Sequence, residues 1–134
     1  GHVAERFENM VSALGGPNDF LTTYKRVLPK TQYVIPVKAK KEGYITRIDT
    51  KALGNILIKM GGGRQKASDN LNLSVGFTMV VKSSDKVDTK KALLMLHTAD
   101  KFLSTSLEEE INNCFSISER EPAQSRNPIL KKVI

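Results

Sequence analysis

The sequence predicts an α+β fold in which helices pack on a mixed or antiparallel sheet, with two further helices ahead of it. Two periodicities support this fold class. Apolar residues alternate with polar ones in several short segments, as in half-buried strands, and elsewhere they recur every three or four residues, as in amphipathic helices. The chain has 134 residues, of which 40% are hydrophobic and 26% are charged. This length and composition suit one globular domain with a real core.

The spacing of apolar residues over positions 3–30 predicts two helices. The apolar stripe of the first helix stops at Gly15-Gly16-Pro17 and that of the second stops at Pro29, because glycine and proline end helices. The two stripes consist of Phe7, Met10, Val11 and Leu14, and of Phe20, Leu21, Tyr24, Val27 and Leu28. Both stripes are wide for helices in so small a domain. Gly1 and His2 are interpreted as the remainder of an expression tag.

The stretch from Gly43 to Gly76 predicts a strand, a helix and a glycine-rich loop that leads to a second strand. Asp49 or Thr50 can cap the helix. The apolar stripe of this helix consists of Leu53, Ile56, Leu57 and Met60. We expect the helix to end at Gly61 in a left-handed conformation, because glycine commonly follows the last helical residue. Beyond the loop, alternating apolar residues predict a strand from Leu73 to Val81.

A further strand is predicted ahead of this stretch, at Tyr33–Ala39. It includes Pro36, which lacks an amide hydrogen, so the strand is expected at a sheet edge or with a bulge. Residues 40–42 are predicted to join it to the strand at 44–48 as a hairpin.

The C-terminal third predicts one buried strand and one helix. A polar turn at 82–86 leads to the strand Ala92–Leu96, and Thr98 can cap the helix that follows. The apolar face of this helix consists of Leu103, Leu107, Ile111 and Cys114. Residues 115–134 are expected to run over the surface, with a short strand near Ile129-Leu130.

The central stretch and its flanks resemble the C-terminal domain of the pyrimidine-nucleoside and thymidine phosphorylases. In the centre the resemblance rests on Gly43, Ile48-Asp49-Thr50, Leu53-Gly54, Met60-Gly61-Gly62-Gly63-Arg64, Ala67-Ser68-Asp69 and Ser74-Val75-Gly76-Phe77. In the flanks it rests on Leu14-Gly15-Gly16-Pro17, Asp19-Phe20, Asp85-Lys86-Val87-Asp88 and Leu96-His97. The resemblance implies an α/β-hammerhead-like domain over residues 31–134. It also implies that residues 3–30 end an adjoining α/β domain, so that the chain is a piece of a larger enzyme.

The resemblance implies the activity of the parent enzyme as well. Members of this family are pentosyltransferases that use phosphate to split pyrimidine nucleosides reversibly into the free base and (deoxy)ribose 1-phosphate. The phosphate- and base-binding residues of the family lie in the N-terminal α and central α/β domains, and none of their motifs occurs in this sequence. We therefore assign no catalytic residue, substrate-binding residue or cofactor to this chain and expect it to be inactive alone. Its implied partners are those two domains, in a homodimer.

The glycine loop is the candidate functional segment. Its residues of interest are Gly61, Gly62, Gly63, Arg64, Lys66 and Asp69. Successive amides in a glycine loop can bind phosphate, but this loop follows the negative end of a helix dipole, whereas phosphate loops precede the positive end. The pattern favours a structural loop. The alternative is a loop that contacts another domain through Arg64 or Lys66 when the enzyme closes.

Four other residues suggest chemistry, and each has a simpler interpretation. Asp49 and Asp69 could be paired carboxylates, but a helix cap and a turn former are the commoner roles. His97 ends an apolar strand and has no companion histidine except His2, so a hydrogen-bonded histidine is favoured over a metal ligand. Cys114 has no activating residue placed beside it and is interpreted as a core thiol.

Charge and cysteine content exclude several classes of protein. The net charge is +7, yet the lysines are spread over every segment without a nucleic-acid-binding motif, so we expect no nucleic-acid partner. No apolar run reaches about 18 residues and no signal peptide precedes the first helix, so we expect no membrane partner. A single cysteine cannot form an internal disulfide, which favours the cytoplasm.

A biotinyl- or lipoyl-type carrier or adaptor domain is the alternative function. The segment Asp88-Thr89-Lys90-Lys91-Ala92 resembles the hairpin that bears the modified lysine of such carriers. Lys90, however, follows Val87 too closely, and Ser84 stands where the carriers have a turn glycine. The similarity therefore supports a related β motif rather than a modified lysine.

Overall fold

The structure, a computed structural model, describes residues 1–122, apart from the side chains of residues 103–105. Within this range the chain forms two compact units, one of residues 1–30 and one that begins at Thr31. The first unit is helical, and the strands of the described range all lie in the second.

Two helices, α1 (His2–Ala13) and α2 (Phe20–Val27), form the first unit and confirm the helices predicted there. Phe7 of α1 contacts Phe20 of α2, with ring centroids 5.9 Å apart, and the Glu8 carboxylate accepts a 3.0 Å hydrogen bond from the amide of Leu21. Neither helix contains a fully buried residue. The apolar side chains left exposed include Val3, Met10, Leu14, Val27 and Leu28. Much of the apolar surface of both helices is therefore uncovered.

In the second unit, the described residues 31–122 form two antiparallel sheets and two helices. The strands are β1 (Tyr33–Lys38), β2 (Gly43–Ile48), β3 (Gly76–Thr78), β4 (Lys86–Val87), β5 (Ala92–Thr98) and β6 (Phe115–Ser118), and the helices are α3 (Thr50–Lys59) and α4 (Lys101–Asn113). One sheet has the strand order β1-β5-β3 and the other has the order β4-β2-β6. The arrangement confirms the predicted α+β fold.

One hydrophobic core joins both sheets and both helices of this unit. Its fully buried apolar members are Val37 of β1, Ile45 of β2, Val87 of β4, Leu93, Leu94 and Leu96 of β5, and Ile111 of α4. Along α3 and at its C-cap, Leu53, Ile56 and Met60 are buried as predicted. Leu57, the fourth member of that stripe, is only half-buried and lies against Gly62. Because burying one such side chain contributes about 1.5–3 kcal/mol, β5 is the strand on which the core depends most.

Three local predictions for this unit are confirmed. β1 is an edge strand, in which Pro36 lies opposite Met95 of β5. Asp49 caps α3, because its carboxylate accepts a 2.9 Å hydrogen bond from the amide of Ala52. The predicted polar turn precedes β4 and is closed by a 2.9 Å hydrogen bond from the amide of Lys82 to the carboxylate of Asp85.

Two predictions about the strands are wrong. β1 and β2 do not form a hairpin, since β1 pairs with β5 whereas β2 pairs with β4 and β6. The strand predicted from Leu73 to Val81 is limited to Gly76–Thr78. It is interrupted on one side by a turn in which the Asn72 side chain accepts a 3.1 Å hydrogen bond from the amide of Ser74. On the other side Met79 has a φ of +52°, which lies in the left-handed region and ends the extended backbone.

The C-terminal part also departs from the prediction. Asp100 rather than Thr98 caps α4, because the Asp100 carboxylate accepts a 2.8 Å hydrogen bond from the amide of Phe102 while β5 continues through Thr98. Phe115 is buried and begins β6, which pairs with β2, so the chain does not turn to the surface after α4. The strand predicted near Ile129-Leu130 lies outside the described residues.

Candidate domain-contact loop

The glycine loop starts at a hydrogen-bonded cap on the end of α3. Gly61 has a φ of +86°, the left-handed conformation that the sequence predicts. Its amide donates to the carbonyl of Ile58 at 2.9 Å, and the amide of Gly62 donates to the carbonyl of Leu57 at 2.9 Å. This pair of bonds is a Schellman motif, which satisfies carbonyls that a helix end leaves free. The cap therefore sets the direction in which the loop leaves the helix.

Gly62 and Gly63 are required for close packing. A β-carbon on Gly62 would lie 2.5 Å from Cδ1 of Leu57, and one on Gly63 would lie 2.6 Å from Cγ1 of Ile58. Contacts this short force a neighbour to move. The loop thus folds back on the last turn of α3 because these two residues have no side chains.

Asp69 and Asn72 close the other end of the loop. The Asp69 carboxylate accepts hydrogen bonds from the amides of Gln65 (3.0 Å) and Lys66 (2.8 Å). The amide of Asn72 donates to the carbonyl of Gly61 at 2.9 Å, which ties the end of the loop to its start. Asp69 is therefore the turn former that the sequence predicts, and the loop holds its conformation through its own hydrogen bonds.

These hydrogen bonds distinguish a structural loop from a phosphate cradle. An anion nest needs backbone amides that converge and are free to donate. The amides of Gly61 and Gly62 donate to helix carbonyls, and those of Gln65 and Lys66 donate to the Asp69 carboxylate. The amides of Gln65 and Lys66 are thus occupied by the Asp69 carboxylate and are not free for a phosphate. The geometry favours a structural loop.

Arg64 and Lys66 carry positive charge at the surface of the loop. Both side chains are exposed, and in the part of the chain that the structure describes neither takes part in a hydrogen bond or an ion pair. Because the backbone beneath them is already ordered, binding of an anionic group has to order only the two side chains. The arrangement suits contact with a carboxylate or phosphate group on a neighbouring domain.

Asp49, Asp69 and His97 each have a structural partner of their own. The Asp49 carboxylate caps α3 and the Asp69 carboxylate closes the glycine loop. His97 Nε2 lies 2.7 Å from Oγ1 of Thr78 on the adjacent strand β3, which is the hydrogen-bonded histidine that the sequence predicts. Among the described residues there is no group of three His, Cys, Asp or Glu side chains placed to hold a metal ion.

Cys114 is a buried thiol, as predicted. Its Sγ donates to the carbonyl of Glu110 at 3.3 Å. Burial raises the pKa of the Cys114 thiol, and the nearby carboxylates of Asp49 and Glu110 raise it further. Since the thiolate is the nucleophilic form, a raised pKa disfavours a reactive role at neutral pH.

Lys90, the lysine considered for a carrier, lies in the turn between β4 and β5. Asp88 Oδ1 accepts hydrogen bonds of 2.7 Å from the amides of Lys90 and Lys91, and these bonds lower the pKa of the Asp88 carboxyl. The Lys91 ammonium donates to the carbonyl of Lys86 at 3.0 Å. The turn is therefore held by its own residues and joins β4 directly to β5, without the further strand that precedes a carrier lysine.

Two lysines of the second unit form ion pairs with glutamates of α4. Lys59 Nζ lies 2.6 Å from Glu110 Oε2, and Lys40 Nζ lies 3.5 Å from Glu109 Oε1.

Through the described range, no helix is both long enough and apolar enough to cross a bilayer.

A cleft between α3 and α4 is a feature that the sequence reasoning missed. Its volume is about 360 Å³. The cleft is lined by Ala52, Asn55, Ile56, Lys59, Glu110, Asn113 and Cys114. Within each helix the lining residues are spaced three or four positions apart, so the sequence indicates that they share one face of that helix. Asn55 lies on such a face of α3 and Asn113 on such a face of α4. The sequence contains no signal that the two helices lie side by side.

The fold and the loop define an α+β domain built around a capped glycine loop. The family model of the pyrimidine nucleoside phosphorylase C-terminal domain matches residues 44–118, which is more than half of the 134-residue chain. The chain therefore belongs to the pyrimidine nucleoside phosphorylase family. The match extends from β2 through β6 and includes α3, the glycine loop and α4. It confirms the resemblance inferred from the central stretch and its C-terminal flank, whereas the part at residues 14–20 lies outside the match.

Proposed function

We propose that this chain is the C-terminal domain of a pyrimidine-nucleoside phosphorylase whose substrates include thymidine. In the reaction of the parent enzyme, inorganic phosphate attacks the anomeric carbon of the nucleoside. The carbon–nitrogen bond to the base breaks as the carbon–oxygen bond to phosphate forms, which gives the free base and (deoxy)ribose 1-phosphate. The observation that carries the proposal is the family match over residues 44–118.

The part played by this chain in the reaction is structural. Phosphorolysis needs positioned cations for the phosphate and hydrogen-bonding groups for the leaving base. The loop amides of Gly61, Gly62, Gln65 and Lys66 are engaged within the chain. As the family resemblance implies, the reacting groups are held by the N-terminal α and central α/β domains of the parent, and the chain alone is inactive.

The apolar surface of the first unit supports contact with the central α/β domain. Val3 and Leu14 are 86% and 81% exposed, although Leu14 belongs to the apolar stripe of its helix. Apolar helix surface that stays in water is typical of a face that another domain covers. In this proposal α1 and α2 complete the α/β domain of a homodimeric, cytoplasmic parent enzyme.

The glycine loop is the segment with which this domain contacts its neighbours when the enzyme closes around substrate. Closure of domains excludes water and completes an active site. Arg64 and Lys66 suit such a contact because their charged ends are exposed on an ordered backbone. The residues assigned to the contact and its support are Gly61, Gly62, Gly63, Arg64, Lys66 and Asp69.

Release of free base from thymidine and uridine tests the proposal. With phosphate present, the isolated chain is expected to release no base, whereas the same chain joined to its upstream coding region is expected to release base in proportion to enzyme. Release by the pure isolated chain, scaling with its concentration, would refute the structural role. A parent protein that releases no base from either nucleoside would refute the activity itself.

A further inference from the structure

Four exposed apolar residues of α1 and its C-cap form one narrow stripe. Val3, Phe7, Met10 and Leu14 follow one another at spacings of four, three and four residues. At 3.6 residues per turn these positions fall within about 60° of one another around the helix axis. This is the spacing of the contact positions in a coiled coil, where side chains of one helix insert into holes on another. The stripe therefore has the geometry of a seam for a second helix.

The contact between α1 and α2 leaves this stripe open. The Glu8 carboxylate accepts a 3.0 Å hydrogen bond from the amide of Leu21. Glu8 lies about 130° around the helix from the middle of the stripe. Phe7, at the edge of the stripe, contacts Phe20 of α2. A second helix can thus lie along the stripe while α1 and α2 stay paired.

An apolar groove lies beside one end of the stripe. Its volume is about 700 Å³. The groove is lined by Gly1, His2, Val3, Ala4, Phe7 and Leu21. At the other end of the stripe, roughly 16 Å away along the helix, the exposed side chain of Leu14 projects into water. One surface of the first unit therefore carries both a hole and an apolar side chain able to enter such a hole.

The stripe has the same spacing when it is followed in either direction. A second copy turned by half a turn about the centre of the stripe places its Leu14 level with Val3 and its Met10 level with Phe7. Met10 and Leu14 of each copy then face the groove of the other copy, and the groove volume exceeds that of a leucine side chain. A two-fold interface requires such a self-complementary patch.

Charge and size fit this arrangement. Glu5 and Arg6 of one copy lie level with Ser12 and Val11 of the other, so these charges do not face their like. With Leu21 included, the exposed apolar side chains of two copies would bury on the order of 1,000 Å² together, the lower end of the range for specific interfaces. The interface is therefore of the weak, reversible kind.

We propose that α1 is a self-complementary docking surface, through which two copies of this chain form an antiparallel, two-fold dimer wherever no other domain covers that face. Removal of the two stripes from water drives the association. In the proposed parent enzyme the central α/β domain covers the same face, so that domain and a second copy exclude each other.

Sedimentation equilibrium of the isolated 134-residue chain measures the association. Over about 10 μM to 1 mM protein, the average mass should rise from that of one chain towards that of two, with a Kd on the order of 100 μM. Leu14→Glu should raise this Kd at least about tenfold, because it brings a charge to the apolar groove. Leu73→Glu, at an exposed leucine of the second unit, is the matched control and should associate as the wild type does.

Cysteine variants test the orientation of the two copies. In a thiol–disulfide buffer, a mixture of Val3→Cys and Leu14→Cys chains should form a disulfide between the two variants, because these positions lie level with each other. Val3→Cys alone should cross-link poorly, since its two copies would lie roughly 16 Å apart along the helices, beyond the reach of a disulfide. Native Cys114 is buried, and the wild-type chain measures its background.

Three results would overturn the proposal: a chain that stays monomeric over the whole range, equal Kd values for Leu14→Glu and the wild type, or cross-linking of Val3→Cys with itself as readily as with Leu14→Cys. The cross-linking experiment keeps apolar-sized side chains at both positions and stays decisive if Leu14→Glu unfolds α1. All of these measurements use the isolated chain, so their outcome is independent of whether the parent enzyme carries out phosphorolysis.

Discussion

Replacing Gly62 with alanine should destabilise the second unit through a collision, whereas replacing Gly61 should do so through backbone strain. A β-carbon on Gly62 would lie 2.5 Å from Cδ1 and 2.9 Å from Cγ of Leu57, and 3.1 Å from Cγ2 of Val75. Overpacking of this kind costs about 1–3 kcal/mol. A β-carbon on Gly61 would meet nothing closer than Asn72 Cβ at 3.8 Å, but the φ of +86° is unfavourable for alanine by about 1–2 kcal/mol.

Urea unfolding followed at the NMR signals of Leu94 and Ile111 measures both losses. These residues are fully buried in the second unit, so the first unit does not contribute to the signal. With a urea dependence of about 2 kcal/mol per molar, Gly62→Ala should lower the midpoint by roughly 0.5–1.5 M and Gly61→Ala by roughly 0.5–1 M.

A Leu57→Ala background separates the two mechanisms. It removes the side chain that Gly62→Ala would strike, so most of the cost of Gly62→Ala should disappear there, while the cost of Gly61→Ala should stay the same. A collision with Leu57 is ruled out if Gly62→Ala costs as much with Leu57 absent as with Leu57 present. Backbone strain at Gly61 is ruled out if Gly61→Ala leaves the midpoint unchanged.

Three further changes test other parts of the fold. Gly43→Ala would place a β-carbon 2.5 Å from the Ser118 carbonyl oxygen at a φ of +144°, so it should cost more than about 3 kcal/mol in the urea assay; a smaller loss would show that β6 can move aside. Asp49→Ala should cost about 1 kcal/mol by removing the cap of α3, whereas Asp49→Asn should retain most of the stability, and equal losses would contradict the capping role. Hydrogen bonds from the amides of Lys90 and Lys91 lower the pKa of Asp88 from its usual 3.8, so the carboxylate stabilises the fold above that value and loses this effect as the pH falls through the lowered pKa. The midpoint of Asp88→Asn should therefore lie below that of the wild type at about pH 6 and converge with it in acid; a difference that does not change with pH would contradict this.

The features predicted correctly from the sequence depend on residues close together along the chain. Asp49 caps α3 through an amide three positions away, and Gly61 ends the same helix through bonds to its last turn. Pro36 restricts β1 to a sheet edge whatever its partner is. Such local rules identified the helices, most strands and the residues of the glycine loop.

The features that were missed depend on contacts between distant segments. Alternation reveals that β1 and β2 are strands but not which strands they pair with, so the hairpin was predicted where two separate sheets exist. Phe115 and Ile117 alternate with serines in a segment of only four residues, too short for a clear pattern. The cleft between α3 and α4 likewise depends on how the helices meet. The partners of Arg64 and Lys66 depend on the neighbouring domains, so their role stays a prediction.

Steady-state phosphorolysis by the parent enzyme carrying Arg64→Ala and Lys66→Ala together tests the proposed contact between the glycine loop and the neighbouring domain. We expect kcat/KM for thymidine to fall at least about tenfold, a loss of about 1.4 kcal/mol, because closure is impaired. The urea midpoint of the isolated chain should stay unchanged, since both side chains are exposed. Lys51→Ala, an exposed lysine on α3, is the matched control and should leave both quantities as in the wild type. Unchanged kinetics in the double variant would contradict the closure role, and a lowered midpoint would show that the two cations are structural instead.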